Sequence, residues 1–316
     1  MGVKLIEGVA ISRMCDYSFG DQSGQFSNIK TSFMKKANES NLEFQKKVEE
    51  MKAKRKYMTL FIDNIRLYNR EINHVKESDR QYLAKLMVEN DLLKLCGKFP
   101  EMNFIIFTSL EDTPTDEFIY ASVPSNVLMI FATHAISNND KVVPLVNGLQ
   151  RKFSFFDNRI KIVEKYALRS PKKITTRNLL YVNHSNSTHP DRARIKGLFR
   201  NEPWARIESS RLSPRKFYKE ILKSSFILCP EGNGIDCHRE WEVIYLRRVP
   251  VLKWHPYLAK LHESNPVLFV ENYEDVTEEL LVKNLHLLEI ASNFDLSKYY
   301  LENYFKSCIE YALNRV

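Results

Sequence analysis

Short, nearly unbroken apolar runs recur along the chain, each closed by polar or turn-forming residues. Tyr57–Ile62, Asn103–Thr108, Asn126–Ala132, Asn178–Asn183, Ser225–Cys229 and Val267–Val270 are such runs, and stretches with helical spacing separate most of them. Runs of this length, rich in Val, Ile and Phe, read as strands buried on both faces. Strands that alternate with helices pair in parallel, because a parallel neighbour is reached only through a crossover of a dozen or more residues. The expected class is therefore α/β.

At 316 residues the chain exceeds the usual size of one core, since domains run about 100 to 200 residues. Two domains are expected, joined through residues 138–158, where Pro144 and Gly148 stand among polar residues. The division is 1–150, 151–275 and a helical tail over 276–316, in at least two pieces, that can pack back on the first domain. Hydrophobic residues at 44% supply the cores and argue against disorder. Val9-Ala10-Ile11 is a short apolar stretch leading to a loop rich in Gly, Asp and Ser over Cys15–Gly24. Helices are expected over Ser32–Lys56, from Ser78 or Asp79 to Leu95 with Gly97 as stop, from Asp191 onward, and from Ser213-Pro214.

The net charge of +8 fits nucleic acid, an anionic membrane surface or a phosphorylated small molecule. The plainer reading is that Lys35, Lys36, Lys46, Lys47, Lys52, Lys54, Arg55 and Lys56 form one solvated helix face. The five cysteines are scattered, without CxxC pairs or zinc spacing, which suits a reducing compartment. The N-terminus lacks the pattern of a signal peptide, and Ile6 stands where a myristoylation motif needs Ser or Thr. No apolar run approaches the roughly 20 residues of a membrane span. A cytoplasmic protein without a membrane span is expected.

Most functional information lies in Cys229–Trp254. The strand ending at Cys229 is broken by Pro230, and Gly232 and Gly234 can take positive φ and let backbone N–H groups approach a ligand. Asp236 is placed to cap a helix over roughly Cys237–Arg247. A helix N-terminus beside a glycine turn favours a phosphate, through its free N–H groups and its dipole. Trp241, Ile244 and Tyr245 form a stripe for packing on a sheet. His238 and Glu242, four apart, share another face, with Arg239 three before Glu242. Cations at the first turn and a carboxylate one turn deeper match a nucleoside diphosphate, with phosphates on the cations and ribose hydroxyls on the carboxylate. A Walker A loop is excluded because no Lys-Ser or Lys-Thr follows the glycines, and Cys237 stands where GxGxxG needs its third small residue. From spacing alone, a simple strand-turn-helix with an exposed His238–Glu242 pair remains an alternative.

The residues Cys229-Pro230-x-Gly232-Asn233-Gly234-Ile235-Asp236-x-His238-Arg239-x-Trp241-Glu242-x-x-Tyr245-Leu246-x-x-x-Pro250-Val251 resemble the signature of exostosin-like glycosyltransferases, the family 47 type with bacterial and viral relatives. Leu179–Asn183 with Thr188 and Asp191-Arg192 resembles the first strand and loop of that family's donor domain. Phe107-Thr108 with Asp112-Thr113-Pro114, Phe131–His134, and Pro144-Leu145 with Gly148-Leu149 resemble its acceptor-side loops and linker. The resemblance spans roughly residues 100–255. It implies a GT-B fold: two Rossmann-like domains facing across a cleft, the C-terminal one holding the sugar nucleotide. It further implies transfer with inversion and without a bound metal or other cofactor. In that reading Gly232, Asn233 and Gly234 line the diphosphate, His238 and Arg239 contact it, Glu242 takes the ribose, and Arg192 is a second phosphate cation. The chain departs from the pattern at Arg247-Arg248, where Gly follows Tyr-Leu in the family, at His134, and at Ser109-Leu110-Glu111.

Displacement at an anomeric carbon needs a base on the acceptor hydroxyl, opposite a stabilised leaving diphosphate. Asp112 is the first candidate, because it follows a strong strand and matches the family loop. Asp21 and Glu111 come next, then His134 and Asp63. The expected partners are a nucleotide-diphosphate sugar, UDP-linked by the resemblance although a GDP-sugar also fits, and a glycan acceptor; nucleic acid is not expected. A catalytically silent nucleotide-sugar or glycan-binding protein is the alternative. For a viral chain, the compartment would be the host cytoplasm.

Overall fold

The computed structural model describes residues 4–6, 10–19, 42–62, 92–109, 123–150, 158–168, 177–210 and 212–315. Two compact units emerge: Val9–Leu145 with Tyr304–Val316, and Met1–Gly8 with Val146–Asn303. Each is built on a five-stranded parallel sheet, as the alternation of apolar runs and helices requires.

The sheet of the first unit contains β1 (Tyr17–Phe19), β2 (Tyr57–Ile62), β3 (Asn103–Thr108), β4 (Val127–Ala132) and β5 (Val142–Pro144), side by side in chain order. Leu60, Ile106, Ile130 and Val142 are in register across four strands. One face of the sheet carries Met58, Leu60, Phe104 and Ile106, packed with Phe44 and Val48 of the helix at 42–52 and with Leu95 and Cys96 of the helix Leu92–Gly97. Phe107 stacks on Phe131 at 5.1 Å, and Phe305 of the helix Leu301–Leu313 packs on Phe107.

Two parts of this sheet differ from expectation. At the end of the apolar stretch ahead of the expected loop, Ile11–Arg13 is a single 3₁₀ turn, and β1 lies within the expected loop itself. The cause is Asp16, whose Oδ2 accepts from Thr59 N and Thr59 Oγ1, both at 2.7 Å, and so anchors the chain beside β2. Tyr17 then rests on Phe44. The expected linker contains the edge strand β5, where Pro144 is tolerated because one side of the ladder is open. Lys47 and Lys52, on the basic helix, pair with Glu50 and Glu49 at 3.0 and 2.7 Å, as on a solvated face.

The second sheet holds β6 (Asn178–Val182), β7 (Ala205–Ile207), β8 (Ser224–Leu228), β9 (Val249–Lys253) and β10 (Leu268–Val270) in the order β10-β9-β8-β6-β7. Leu180, Phe226 and Val249 are in register, as are Leu228, Val251 and Leu268. These side chains share a core with Ile195, Phe199, Leu281 and Ala291. Neighbouring residues along the strands face the other way, as the pleat demands. The three-residue strand β7 is too short to show a period and was not legible in the sequence.

The two sheets differ in strand order. In the first, described neighbours follow the chain. In the second, the chain leaves β6 to one side for β7 and returns on the other for β8. In open parallel sheets, ligands bind outside the carboxyl ends of the strands at such a reversal. Here those ends are the loops after Val182 and after Leu228.

Residues 4–6 belong to the second unit: Leu149 N donates to Ile6 O, and Ile6 N to the Tyr245 hydroxyl. Gly148, at φ 70°, is where a glycine is required, since a Cβ there would lie 2.5 Å from Ile6 O.

Candidate functional site

The glycine loop leaves β8 and enters a helix over His238–Tyr245. That helix starts one residue later than expected, and its cap differs. Cys237 is the N-cap, and its N–H donates to Glu240 Oε2 at 3.3 Å. Asp236, expected to cap, is only 2% exposed and points inward. Its Oδ1 accepts from Trp241 Nε1 at 2.7 Å, and its Oδ2 from Asn147 N at 3.0 Å. Trp241, as expected, is fully buried.

Glu240 was not singled out from the sequence. It lies beneath the loop with Asp236 and His262, and His262 Nε2 donates to Glu240 Oε1 at 2.8 Å while its Nδ1 accepts from Asn265 Nδ2 at 2.8 Å. Burial pushes Glu240 up to about 8, raises Asp236 well above the carboxylate range and drives His262 down to about 4. At neutral pH the contact between His262 and Glu240 is therefore a neutral hydrogen bond between an imidazole and a carboxylic acid, although its distance would also suit an ion pair. Charge in this pocket would be costly, and protonated carboxyls with a neutral imidazole avoid that cost.

The two arginines of the site have different surroundings. Arg192 opens the helix Arg192–Leu198 and is 9% exposed. Its Nε donates to Glu231 O at 2.7 Å, Nη2 to Pro230 O at 2.8 Å and Nη1 to Ser185 O at 3.3 Å. It clamps the loops after β6 and β8 together, and its charge, with no carboxylate bound to it among the described residues, adds to the positive field. Gly232 is explained by this clamp: a Cβ would meet Arg192 Nη2 at 3.2 Å and Cys237 Sγ at 3.4 Å. Close approach, and not the positive φ the sequence suggested, selects glycine at that position.

Arg239 is held on three sides. Nε donates to Glu242 Oε2 at 3.2 Å, Nη1 donates to Asn183 O, and the guanidinium lies over the Phe217 ring at 4.3 Å. Among the described residues no partner takes the Nη2 donors. Glu242, 7% exposed, also accepts from the Tyr218 hydroxyl at 2.7 Å, so each of its oxygens already holds one donor. Phe217 and Tyr218, on the helix Pro214–Leu222, thus hold both site residues, a role that only the tertiary contacts reveal. His238 Nδ1 sits 2.8 Å from Gly148 O, which requires the proton on Nδ1. Asn233 is exposed at the tip of the loop, next to buried Gly234.

In the loop after β6, sequence reasoning marked Thr188 but gave His184 no role. His184 is 6% exposed, and its Nε2 meets Arg192 O at 2.8 Å. A carbonyl only accepts, so Nε2 carries the proton. Burial drives the ring down to about 4, so it is neutral and Nδ1 is a bare acceptor. Neither His184 Nδ1 nor Thr188 Oγ1 has a partner among the described residues, although both are closed off from solvent. A histidine directly after an apolar strand was the available signal.

The sheet reversal thus brings together Arg192, Gly232, Asn233, Gly234, His238, Arg239 and Glu242, all seven donor-site residues of the sequence reading, on the loops after β6 and β8 and the helix that follows. Asp21, Glu111, Asp112 and Asp63 lie outside the described residues. His134, at the end of β4, is fully buried with φ 56°, a conformation that His and Asn tolerate better than most residues.

An α/β protein with two parallel sheets and a polar, arginine-rich site at a strand-order reversal is the class that fold and site define. No protein-family model matches the chain, and no curated protein matches it. Among solved structures it is similar to the calicheamicin glycosyltransferase CalG4, over 82% of this chain and 91% of that one, with 11% identity and a TM-score of 0.36. That degree of likeness is too low to define an activity. No helix among the described residues is long and apolar enough to cross a membrane.

Proposed function

We propose that the protein is an inverting glycosyltransferase that moves a sugar from a nucleotide-diphosphate sugar, UDP-linked by preference, to a hydroxyl of a glycan acceptor. The observation that carries this reading is Arg239, pre-organised at the reversal of the second sheet with its Nη2 donors available, beside the buried charge of Arg192. Fixed cations and a helix start can stabilise a leaving diphosphate in place of a metal. In this reading Gly232, Asn233 and Gly234 border the diphosphate, His238 and Arg239 contact it, and Glu242 accepts from the ribose with its remaining lone pairs.

The acceptor oxygen attacks the anomeric carbon while a carboxylate takes its proton. The bond from that carbon to the phosphate oxygen breaks, and the nucleoside diphosphate leaves with the electron pair. Asp112 is the proposed base, with Asp21 and Glu111 next.

A thermal-shift panel of UDP, GDP and their sugars, run with a chelator, tests the donor. Stabilisation by one nucleotide series is expected, and none by any nucleotide would defeat the proposal. Replacing Asp112 by Asn is expected to abolish transfer and leave donor binding intact.

A further inference from the structure

The loop after β6 carries an acceptor that a phosphate cannot satisfy. His184 Nε2 is committed to Arg192 O at 2.8 Å, leaving Nδ1 as a buried lone pair without a donor among the described residues. Its neighbours are fixed by both site arginines, Asn183 O by Arg239 and Ser185 O by Arg192. The ring therefore stands within the arginine site. Thr188 Oγ1, four residues on, is likewise closed off and unpaired. A buried polar atom left unmade costs free energy, and what lowers that cost must match its chemistry. Phosphate oxygens only accept at neutral pH, so they leave Nδ1 unmet; a ligand hydroxyl donates.

We propose that His184 and Thr188 form a hydroxyl-recognition subsite: the loop after β6 shifts on ligand binding to uncover both atoms, His184 Nδ1 accepts from a hydroxyl of the bound sugar nucleotide and Thr188 Oγ1 pairs with the same polyol. The proposal rests on the nucleotide-sugar reading of the site and adds residues to it. The hydroxyl belongs to the ribose or to the transferred sugar, and the two sources separate by experiment.

The test is a binding cycle between protein variants and ligands, by calorimetry. Wild type, His184→Phe and Thr188→Val are titrated with UDP and GDP, their 2′-deoxy and 3′-deoxy forms, UDP-glucose and GDP-mannose. His184→Phe is expected to weaken the hydroxyl-bearing ligand about five- to tenfold, and the loss should vanish against the ligand lacking that hydroxyl. Coupling to a deoxyribose form assigns the ribose; a loss confined to the sugar nucleotides assigns the transferred sugar. Thr188→Val, nearly isosteric, repeats the test if the Phe variant folds poorly. An equal loss across all ligands, or no loss, overturns the proposal while the nucleotide reading stands. No binding of any nucleotide to wild type removes both.

Discussion

The buried trio of Asp236, Glu240 and His262 makes stability depend on pH in a way that can be worked out by sign. Burial raises Glu240 to about 8, against 4.5 for an ordinary glutamate, so the folded protein keeps a proton that the unfolded chain releases. A carboxyl with a raised pKa contributes stability that is complete below its unfolded pKa and lost as pH climbs through the folded one. One proton gives a slope of about −1.4 kcal/mol per pH unit within that window. His262 and His184, both driven down to about 4 from 6.5, act oppositely: their contribution is present above 6.5 and lost as pH falls toward 4. Asp236, raised by the same burial, adds to Glu240 in sign, so below pH 6.5 the two carboxyls and the two histidines oppose one another, and above 6.5 the carboxyls act against a flat histidine background. Stability should therefore fall above pH 6.5, with Glu240 alone contributing about 1 to 1.4 kcal/mol of the loss from pH 7 to 8. All three tryptophans, Trp204, Trp241 and Trp254, lie in the unit of the second sheet, so urea melts followed by fluorescence report on that unit. Glu240→Gln keeps the neutral shape, removes one of the two titrating carboxyls and should make the alkaline limb shallower. A wild-type curve that is level or rising from pH 6.5 to 8, coincident with that of the variant, would refute the argument.

Phe217→Leu removes the ring beneath Arg239 and should weaken nucleoside diphosphate about three- to tenfold while leaving the bare nucleoside unaffected, with Phe217→Tyr restoring affinity; equal losses for both ligands would make the ring merely structural. Arg247, at φ 56°, donates to Ser292 O at 3.2 Å and to Phe294 O. Arg247→Gly loses those bonds but relieves about 1 kcal/mol of left-handed strain, whereas Arg247→Ala loses the bonds and keeps the strain. In urea melts the Gly variant should be the more stable of the two, and the opposite order would show that no strain is stored there.

The α/β class, the parallel pairing and most strand positions were legible because buried parallel strands write themselves as apolar runs, whatever they pack against. The glycine loop and the helix after it were equally visible, since turn and helix chemistry is local. Short strands such as β1, β5 and β7 were missed: three residues show no period, and Asp16, Lys141 and their partners place them through contacts distant in sequence. Lys141 Nζ, for instance, donates to Val127 O at 2.7 Å beside β5.

By itself, the sequence determined which residue types reach the site and the register of the helix that carries His238, Arg239 and Glu242. Tertiary structure decided what each of them does. Arg192 and Arg239 look alike as cations in the sequence, yet one is enclosed by backbone carbonyls and the other retains its outer donors. Asp236 reads as a cap and is instead buried against Trp241 and Asn147. The physical reason is that hydrogen-bond demand and desolvation are set by which loops meet at the sheet's reversal, and that meeting depends on strand order, which no local pattern encodes.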